Sequence, residues 1–245
     1  MFFLHKRFSV LILNILFILV NWFLLRVSAT LWQKGTMLIL DLGTIDFHDA
    51  YAIQERLVAG VAAGTEPETL LLLEHPPVYT IGSGGDEGNV LDPGIVAVRI
   101  NRGGDVTWHG PGQLVGYPIV NLAARARDLH RYLRFLEELL VAVAADFRVE
   151  AWRIPGRTGV WTEEGKLASI GVGVRRWVTM HGFALNVTAD LAGFGRINPC
   201  GIAGCPVTSL AAEGDRVRIE EVKGRVTERF GPLLAERLPV LLTSG

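Results

Sequence analysis

The chain has 245 residues, 49% of them apolar, which is enough for one large or two small domains with a sizeable core. Its formal charge of −1 hides an asymmetry: Lys6, Arg7, Arg26 and Lys34 stand in the first 36 residues with no acid, and setting them aside leaves 20 basic against 25 acidic residues, a net of −5. An acidic body without a basic stripe argues against nucleic acid as a partner, and a chain free of repeats, low-complexity blocks and long charge runs is neither a solenoid nor a disordered tail.

Residues 8–25, "FSVLILNILFILVNWFLL", are nearly all apolar and follow His5, Lys6 and Arg7. As a membrane span the stretch barely reaches the roughly 18 to 20 residues required, and Asn14 and Asn21 weaken it. As a secretory signal it has a basic start and a small-residue site at Val27-Ser28-Ala29, but its apolar core exceeds the usual ~7–15 residues. A third reading starts translation at Met37, where "MLILDLG" opens the globular pattern. The third is the expectation adopted, with residues 1–36 an extension and 37–245 a single domain.

In chain order the folded part predicts a strand over 37–42, a helix over 47–63, and strands over 69–74, 78–81, 95–101 and 113–120. A helix over 128–147 follows, then strands over 158–162, 167–174 and 178–187, and a last helix over 220–236 broken at Gly231-Pro232. In the middle helix Leu129, Tyr132, Leu133, Leu136, Leu139, Leu140 and Val143 recur at three- and four-residue steps, forming one buried face behind an Asp128 N-cap. Several strands in succession between helices predict an α+β fold rather than a doubly wound one.

Three stretches carry chemistry. "NRGGDVTWHGPGQLVGYP", residues 101–118, crowds glycines around Arg102, Thr107 and His109, so the main chain can approach a ligand while the side chains donate to a polar head. A glycine-stiffened turn with an ordinary histidine reads equally from these residues, and the spacing is not that of a phosphate or dinucleotide loop. "GKLASIGVGVRRWVTMHGFALNV", residues 165–187, reads as two strands joined at Arg175-Arg176. Strict alternation puts Lys166, Ala168, Ile170, Val172 and Val174 on one face and Ser169, Gly171 and Gly173 on the other. Small residues there leave room either for a packed element or for a ligand, and Lys166 by default is a solvated edge lysine.

The third stretch, "INPCGIAGCPVTSL", holds both cysteines of the chain, Cys200 and Cys205. A single disulfide would do little for a domain of this size, and a metal site lacks a second cluster of ligands. A thiol between Pro199 and Gly201 on a stiff open turn suits a nucleophile, although most unpaired cysteines are core fillers.

Read together, "LLLEHPPVYTIG", "RGGDVTWHGPGQLVGYP", "GRTGVWTEEGKLASIGVGVRRWVTMHGFALNV" and "NPCGI…VTSL" resemble the octanoyltransferases of lipoate synthesis, over essentially everything from Met37 onward. The resemblance implies mixed, mostly antiparallel sheets flanked by helices, a fold like that of the biotin and lipoate protein ligases. It implies transfer of an octanoyl group from octanoyl-acyl carrier protein, through a cysteine thioester, to a lysine of lipoyl domains in the 2-oxoacid dehydrogenase complexes and of the glycine cleavage H protein. No cofactor, ATP or metal is implied, and a cytoplasmic monomer is expected, since both protein substrates are intracellular.

By the same resemblance Cys200 is the nucleophile and Lys166 its catalytic partner. Substrate binding carries over to Arg102, Gly103, Gly104, Asp105, Val106, Thr107, Trp108 and His109, to Ser169, Ile170 and Gly171, and to Gly182, Phe183 and Ala184. Cys205 matches no functional position.

An ordinary thiol, with a pKa of roughly 8.5, is only a few per cent ionised at neutral pH, so a nucleophilic cysteine needs a neighbour that favours the anion. A lysine acting as neutral base must give up roughly 4–5 kcal/mol of preference for its charged form, so an ion pair is expected in the resting enzyme. His109 and His181 are competing partners for the thiol, with His181 in a supporting role. Glycines near Gly171 and Gly182 are expected to form an acyl slot, so that enlarging Gly182 shortens the preferred chain. Arg125, Arg127, Arg131 and Arg134 with His130, and Arg175-Arg176, form either a solvated face or a docking patch for acidic carriers.

Overall fold

The computed structural model describes residues 28–31, 37–214 and 216–241, so the readings of the apolar stretch over 8–25 and of the remaining extension lie outside the described residues. Among the described residues no helix is long and apolar enough to cross a membrane. The fold is α+β, as the order of predicted elements implied, with the mixed, mostly antiparallel sheets flanked by helices that the resemblance implied.

The larger sheet has eight strands in the order β1 (Ser28–Leu31), β2 (Met37–Thr44), β3 (Glu68–Glu74), β7 (Gln113–Ile119), β11 (Val178–Asn186), β10 (Lys166–Arg175), β9 (Arg157–Trp161) and β8 (Trp152–Ile154). The smaller has three, in the order β5 (Val98–Arg99), β4 (Val78–Ile81) and β6 (Thr107–His109). Pairing is antiparallel except for β2 with β3 and β4 with β5. Helix α1 (Phe47–Ala63) makes the crossover that the parallel β2–β3 pair needs. Its start is fixed by the Asp46 side chain accepting from the His48 N–H, and its end by Gly64 in the left-handed region.

The run "LLLL" in β3 has no alternation because both faces of the sheet are covered. Leu70 and Leu72 pack with α2 (Leu129–Asp146) and the C-terminal helix α4 (Ile219–Arg237), which follows the single turn α3 (Leu210–Glu213). Leu71 and Leu73 pack on the other face with Leu57, Val58 and Val61 of α1. A third cluster, around Ile81, Trp108, Phe194 and Ile197, backs the small sheet.

Two expectations are corrected here. Helix α4 runs unbroken through Gly231-Pro232: Pro232 is exposed, so the carbonyl it leaves unbonded faces water, while Phe230 and Leu234 hold the two halves in the core, Phe230 edge-on to Phe135. The strand expected over 95–101 shrinks to Val98–Arg99, because β4 offers partners only from Thr80 to Val98 and from Ile81 to Arg99.

Candidate active site

The face of the large sheet that carries α1 meets the small sheet in a cavity of about 470 Å³, counting its open mouth, lined by Arg102, Thr107, His109, Ser169, His181 and Cys200 among others. Gly104, Asp105, Ile170, Gly171, Gly182, Phe183 and Ala184 also line it. Gly103 binds its edge, donating its N–H to the Val172 carbonyl at 2.9 Å. Val106 and Trp108 do not line the cavity. Val106 is buried and accepts from the Cys200 N–H at 3.1 Å, and the Trp108 ring packs behind the small sheet on Phe194.

Cys200 sits in the left-handed region at φ 58°, ψ 24°, inside a short turn opened by Pro199 and followed by Gly201, itself at φ 72°. Its Sγ lies 2.7 Å from Lys166 Nζ. Lys166 is only 2% exposed, not a solvated edge lysine, and its Nζ also stands 5.3 Å from the Trp161 ring centroid. Strict alternation fails at this residue. Lys166 pairs with Trp161 but Ala168 with Val160, a shift that sets two residues of β10 against one of β9. Trp161 and Val160 point to opposite faces, so Lys166 leaves the face of Ala168 and Ile170 and joins that of Ser169 and Gly171. Gly165 makes the shift compatible with the Cys200 turn, since a Cβ there would stand 2.7 Å from the Pro206 carbonyl and Lys166 N–H donates to that carbonyl at 2.9 Å.

Both cysteines are free thiols. Burial pushes the Cys205 thiol up, against the lowering effect of Lys166, and its S–H donates to the Pro206 carbonyl at 3.6 Å.

The two histidines of the site are engaged elsewhere. His109 Nδ1–H donates to Gln113 Oε1 at 2.8 Å, and burial, reinforced by His75, pushes its pKa down to about 3. His181 Nε2–H donates to Asn101 Oδ1 at 2.8 Å, and burial followed by the Arg102 charge lowers it to about 4. Arg102 is buried without a carboxylate partner among the described residues. Its guanidinium donates to the carbonyl and hydroxyl of Thr80, at 2.8 and 3.0 Å, and to the Gly103 carbonyl at 3.0 Å. Gln113, Asn101, Thr80 and Trp161 thus hold the site residues in place. All four lie within the stretches singled out in the sequence, Asn101 and Gln113 in the same one as His109, but none was assigned a role there.

Gly171 and Gly182 both line the cavity, as the slot expectation requires, but the expectation that a larger residue at Gly182 narrows it is corrected. Gly182 touches the cavity through its backbone, but a Cβ on it would meet the Gly116 carbonyl oxygen at 2.3 Å and Pro118 at 2.6 Å, so the space belongs to β7. A Cβ on Gly171 would meet Arg102 Cδ and the Gly103 carbonyl oxygen, both at 3.0 Å. The arginine cluster divides as well. Arg125 is buried against Glu68 and the Leu238 carbonyl, and Arg134 pairs with the buried Glu137, whose other oxygen accepts from Gly159 N–H at 3.2 Å. Arg127, His130, Arg131, Arg175 and Arg176 are exposed.

A lysine 2.7 Å from a free thiol that lines a partly apolar cavity is an arrangement able to support acyl transfer, and comparisons with known proteins give the family. The model of the lipoyl protein ligase A/B catalytic domain matches residues 46–231. An octanoyltransferase from Geotalea uraniireducens is 73% identical over 205 residues, covering 83% of this chain and 96% of the relative. One from Geobacter metallireducens is 69% identical over 209 residues, covering 85% and 98%. Among solved structures, a lipoate-protein ligase A bound with ATP shares the fold at a TM-score of 0.66 and 18% identity, over 84% of this chain and 85% of that one. So does a bipartite lipoate protein ligase from Thermoplasma acidophilum, at 0.60 and 18%, over 84% of each. By sequence across its folded body and by fold, this chain belongs to the octanoyltransferases, acyltransferase enzymes within the lipoyl protein ligase A/B catalytic-domain family.

Proposed function

We propose that the protein takes an octanoyl group from octanoyl-acyl carrier protein onto Cys200 as a thioester and passes it to a lysine of a lipoyl domain. The 2.7 Å contact between Lys166 Nζ and Cys200 Sγ carries this reading. An ammonium at that distance favours the thiolate, and a buried cation without a carboxylate gains its counter-charge there. The histidines support the assignment by their state: lowered to about 3 and about 4 by burial, His109 and His181 are neutral at physiological pH and too weak as bases to compete for the thiol proton.

The chemistry runs in two exchanges. The Cys200 thiolate adds to the carbonyl carbon of the donor thioester; the intermediate collapses, the carrier thiolate leaves, and Lys166 protonates it. Thioester replaces thioester at nearly equal energy, so no ATP is consumed. With the sulfur acylated, Lys166 loses its anionic partner and as a neutral amine takes the proton that the incoming lysine sheds on forming the amide, while Cys200 leaves as thiolate.

Cys205, with its S–H bonded to a carbonyl and its ionisation disfavoured, stays out of the reaction. The acceptors are lipoyl domains of the 2-oxoacid dehydrogenase complexes and the glycine cleavage H protein, the site of action is the cytoplasm, and the enzyme is a monomer. Incubation of the purified protein with octanoyl-carrier protein and a lipoyl domain, without ATP, tests the whole reading. Octanoylation of the domain that disappears in Cys200→Ser is expected; a strict requirement for ATP, or full activity in Cys200→Ser, contradicts it.

A further inference from the structure

A thiolate attacking a thioester turns the carbonyl oxygen into an oxyanion, and something must donate a hydrogen bond to it. The backbone N–H groups of the turn from Cys200 to Ile202 are committed. That of Cys200 donates to the Val106 carbonyl at 3.1 Å, that of Gly201 to Asn198 at 3.0 Å, and that of Ile202 to Pro199 at 3.1 Å. The nucleophile's own turn therefore offers no donor.

Among the side chains that line the cavity with it, one hydroxyl is both fully buried and uncommitted. Thr107 is 5% exposed, lines the cavity with Cys200, and its Oγ1 is buried with no hydrogen-bond partner. A buried hydroxyl left without a partner is costly and uncommon, so this one calls for a reason. Its direction follows from register. Thr80 stands opposite Thr107 and Val78 opposite His109, so Thr80, Thr107 and His109 share one face of the small sheet, while Tyr79 and Trp108 turn to the cluster behind. The facing Thr80 hydroxyl is held by the Arg102 guanidinium at 3.0 Å. Thr107 thus looks into the chamber that Arg102 and Cys200 line, from the residue next to the carbonyl that anchors the Cys200 backbone.

We propose that the Thr107 hydroxyl is the oxyanion donor for acylation of Cys200, a role that rests on the acyl-enzyme reading above. As Cys200 Sγ bonds to the thioester carbon, the carbonyl π pair moves onto oxygen and Thr107 O–H donates to it. When the pair returns, the donor carbon–sulfur bond breaks and the carrier thiolate takes its proton from Lys166. The buried Arg102 cation adds a favourable field without giving up its bonds to Thr80 and Gly103. The same donor serves the second transfer, because attack of the acceptor amine on the Cys200 thioester raises the same oxyanion.

The test compares two reactions of one sulfur. Thr107→Val keeps the shape and removes the donor, whereas alkylation of Cys200 by iodoacetamide makes no oxyanion. Single-turnover acylation by octanoyl-carrier protein, followed by intact mass, is expected to slow about 10²–10³-fold in Thr107→Val. Alkylation stays within twofold of wild type, and Thr107→Ser recovers most of the acylation rate. Loss of an orphaned hydroxyl should leave the melting temperature of Thr107→Val at or above wild type; should that variant not fold, Thr107→Ala against Thr107→Ser makes the same comparison. Wild-type acylation in the donor-free variant, or a parallel loss of alkylation, overturns the inference alone. A wild-type protein that gains no octanoyl group on Cys200 overturns the acyl-enzyme reading and this inference with it.

Discussion

Lys166 carries the proposed chemistry, and its environment makes a sharp prediction. On the proposed mechanism Lys166, buried and 2.7 Å from Cys200 Sγ, serves reactivity at the expense of the fold, since a buried cationic side chain is often replaced by an apolar one at little or no loss of stability. Lys166→Met should therefore abolish octanoyl transfer and move the pH profile of Cys200 alkylation upward, with a melting temperature no lower than wild type. An unchanged alkylation profile contradicts the role of the lysine. How Lys166 meets Cys200 is not legible from residue order. Alternation along "GKLASIGVGV" assigns it to the wrong face, because the one-residue shift opposite Trp161 and Val160 that reverses it is a bulge in the pairing with the preceding strand, and a period-two pattern carries no mark of a bulge. The resemblance of "GKLASIG" and "NPCGI" to a family pattern named the pair, and only the fold explains it.

At the scale of elements, strands β7, β11 and β10 are drawn together by small residues. Gly116 lies against the Phe183 ring, where a Cβ would stand 2.1 Å away, and Gly182 lies against the Gly116 carbonyl. Gly182→Ala should accordingly lower stability by about 1–3 kcal/mol, a fall of roughly 2–4 °C in melting temperature for each kcal/mol, measured by thermal unfolding. A stable variant that prefers a shorter acyl chain would restore the slot reading. Helix α1 was legible to the residue because Asp46 and Gly64 are local signals. Strand β6 was not, because the glycines around "DVTWH" read as a loop, and its three residues become a strand only when β4 supplies the partner. In the docking patch Arg125 is buried in an internal pair, whereas Arg134 is exposed but tied to the buried Glu137, so Arg127, Arg131 and Arg134 are the exposed charges of that helix start.

Across the whole molecule, the enclosed histidines couple stability to pH. His109 and His181 titrate at about 3 and about 4 in the folded site, against roughly 6.5 unfolded. Above pH ~6.5 neither state binds their protons and they contribute no pH dependence. As pH falls below that value the unfolded chain takes up protons the folded site refuses, so stability declines by up to about 1.4 kcal/mol per pH unit for each histidine until the folded values are reached. Urea unfolding of His109→Gln should show a slope shallower by about that amount between pH 6.5 and 5, and an identical slope would show that His109 is not held neutral.

The proposed function has the octanoyl group reside on Cys200, which lines the cavity between the two sheets. The most direct test is to trap the enzyme after one turnover with octanoyl-carrier protein, map the modification by peptide mass, and then chase with a lipoyl domain. An octanoyl group found on Cys200 and moving in full to the acceptor lysine is predicted; a group that reaches the acceptor without ever residing on that cysteine contradicts the account.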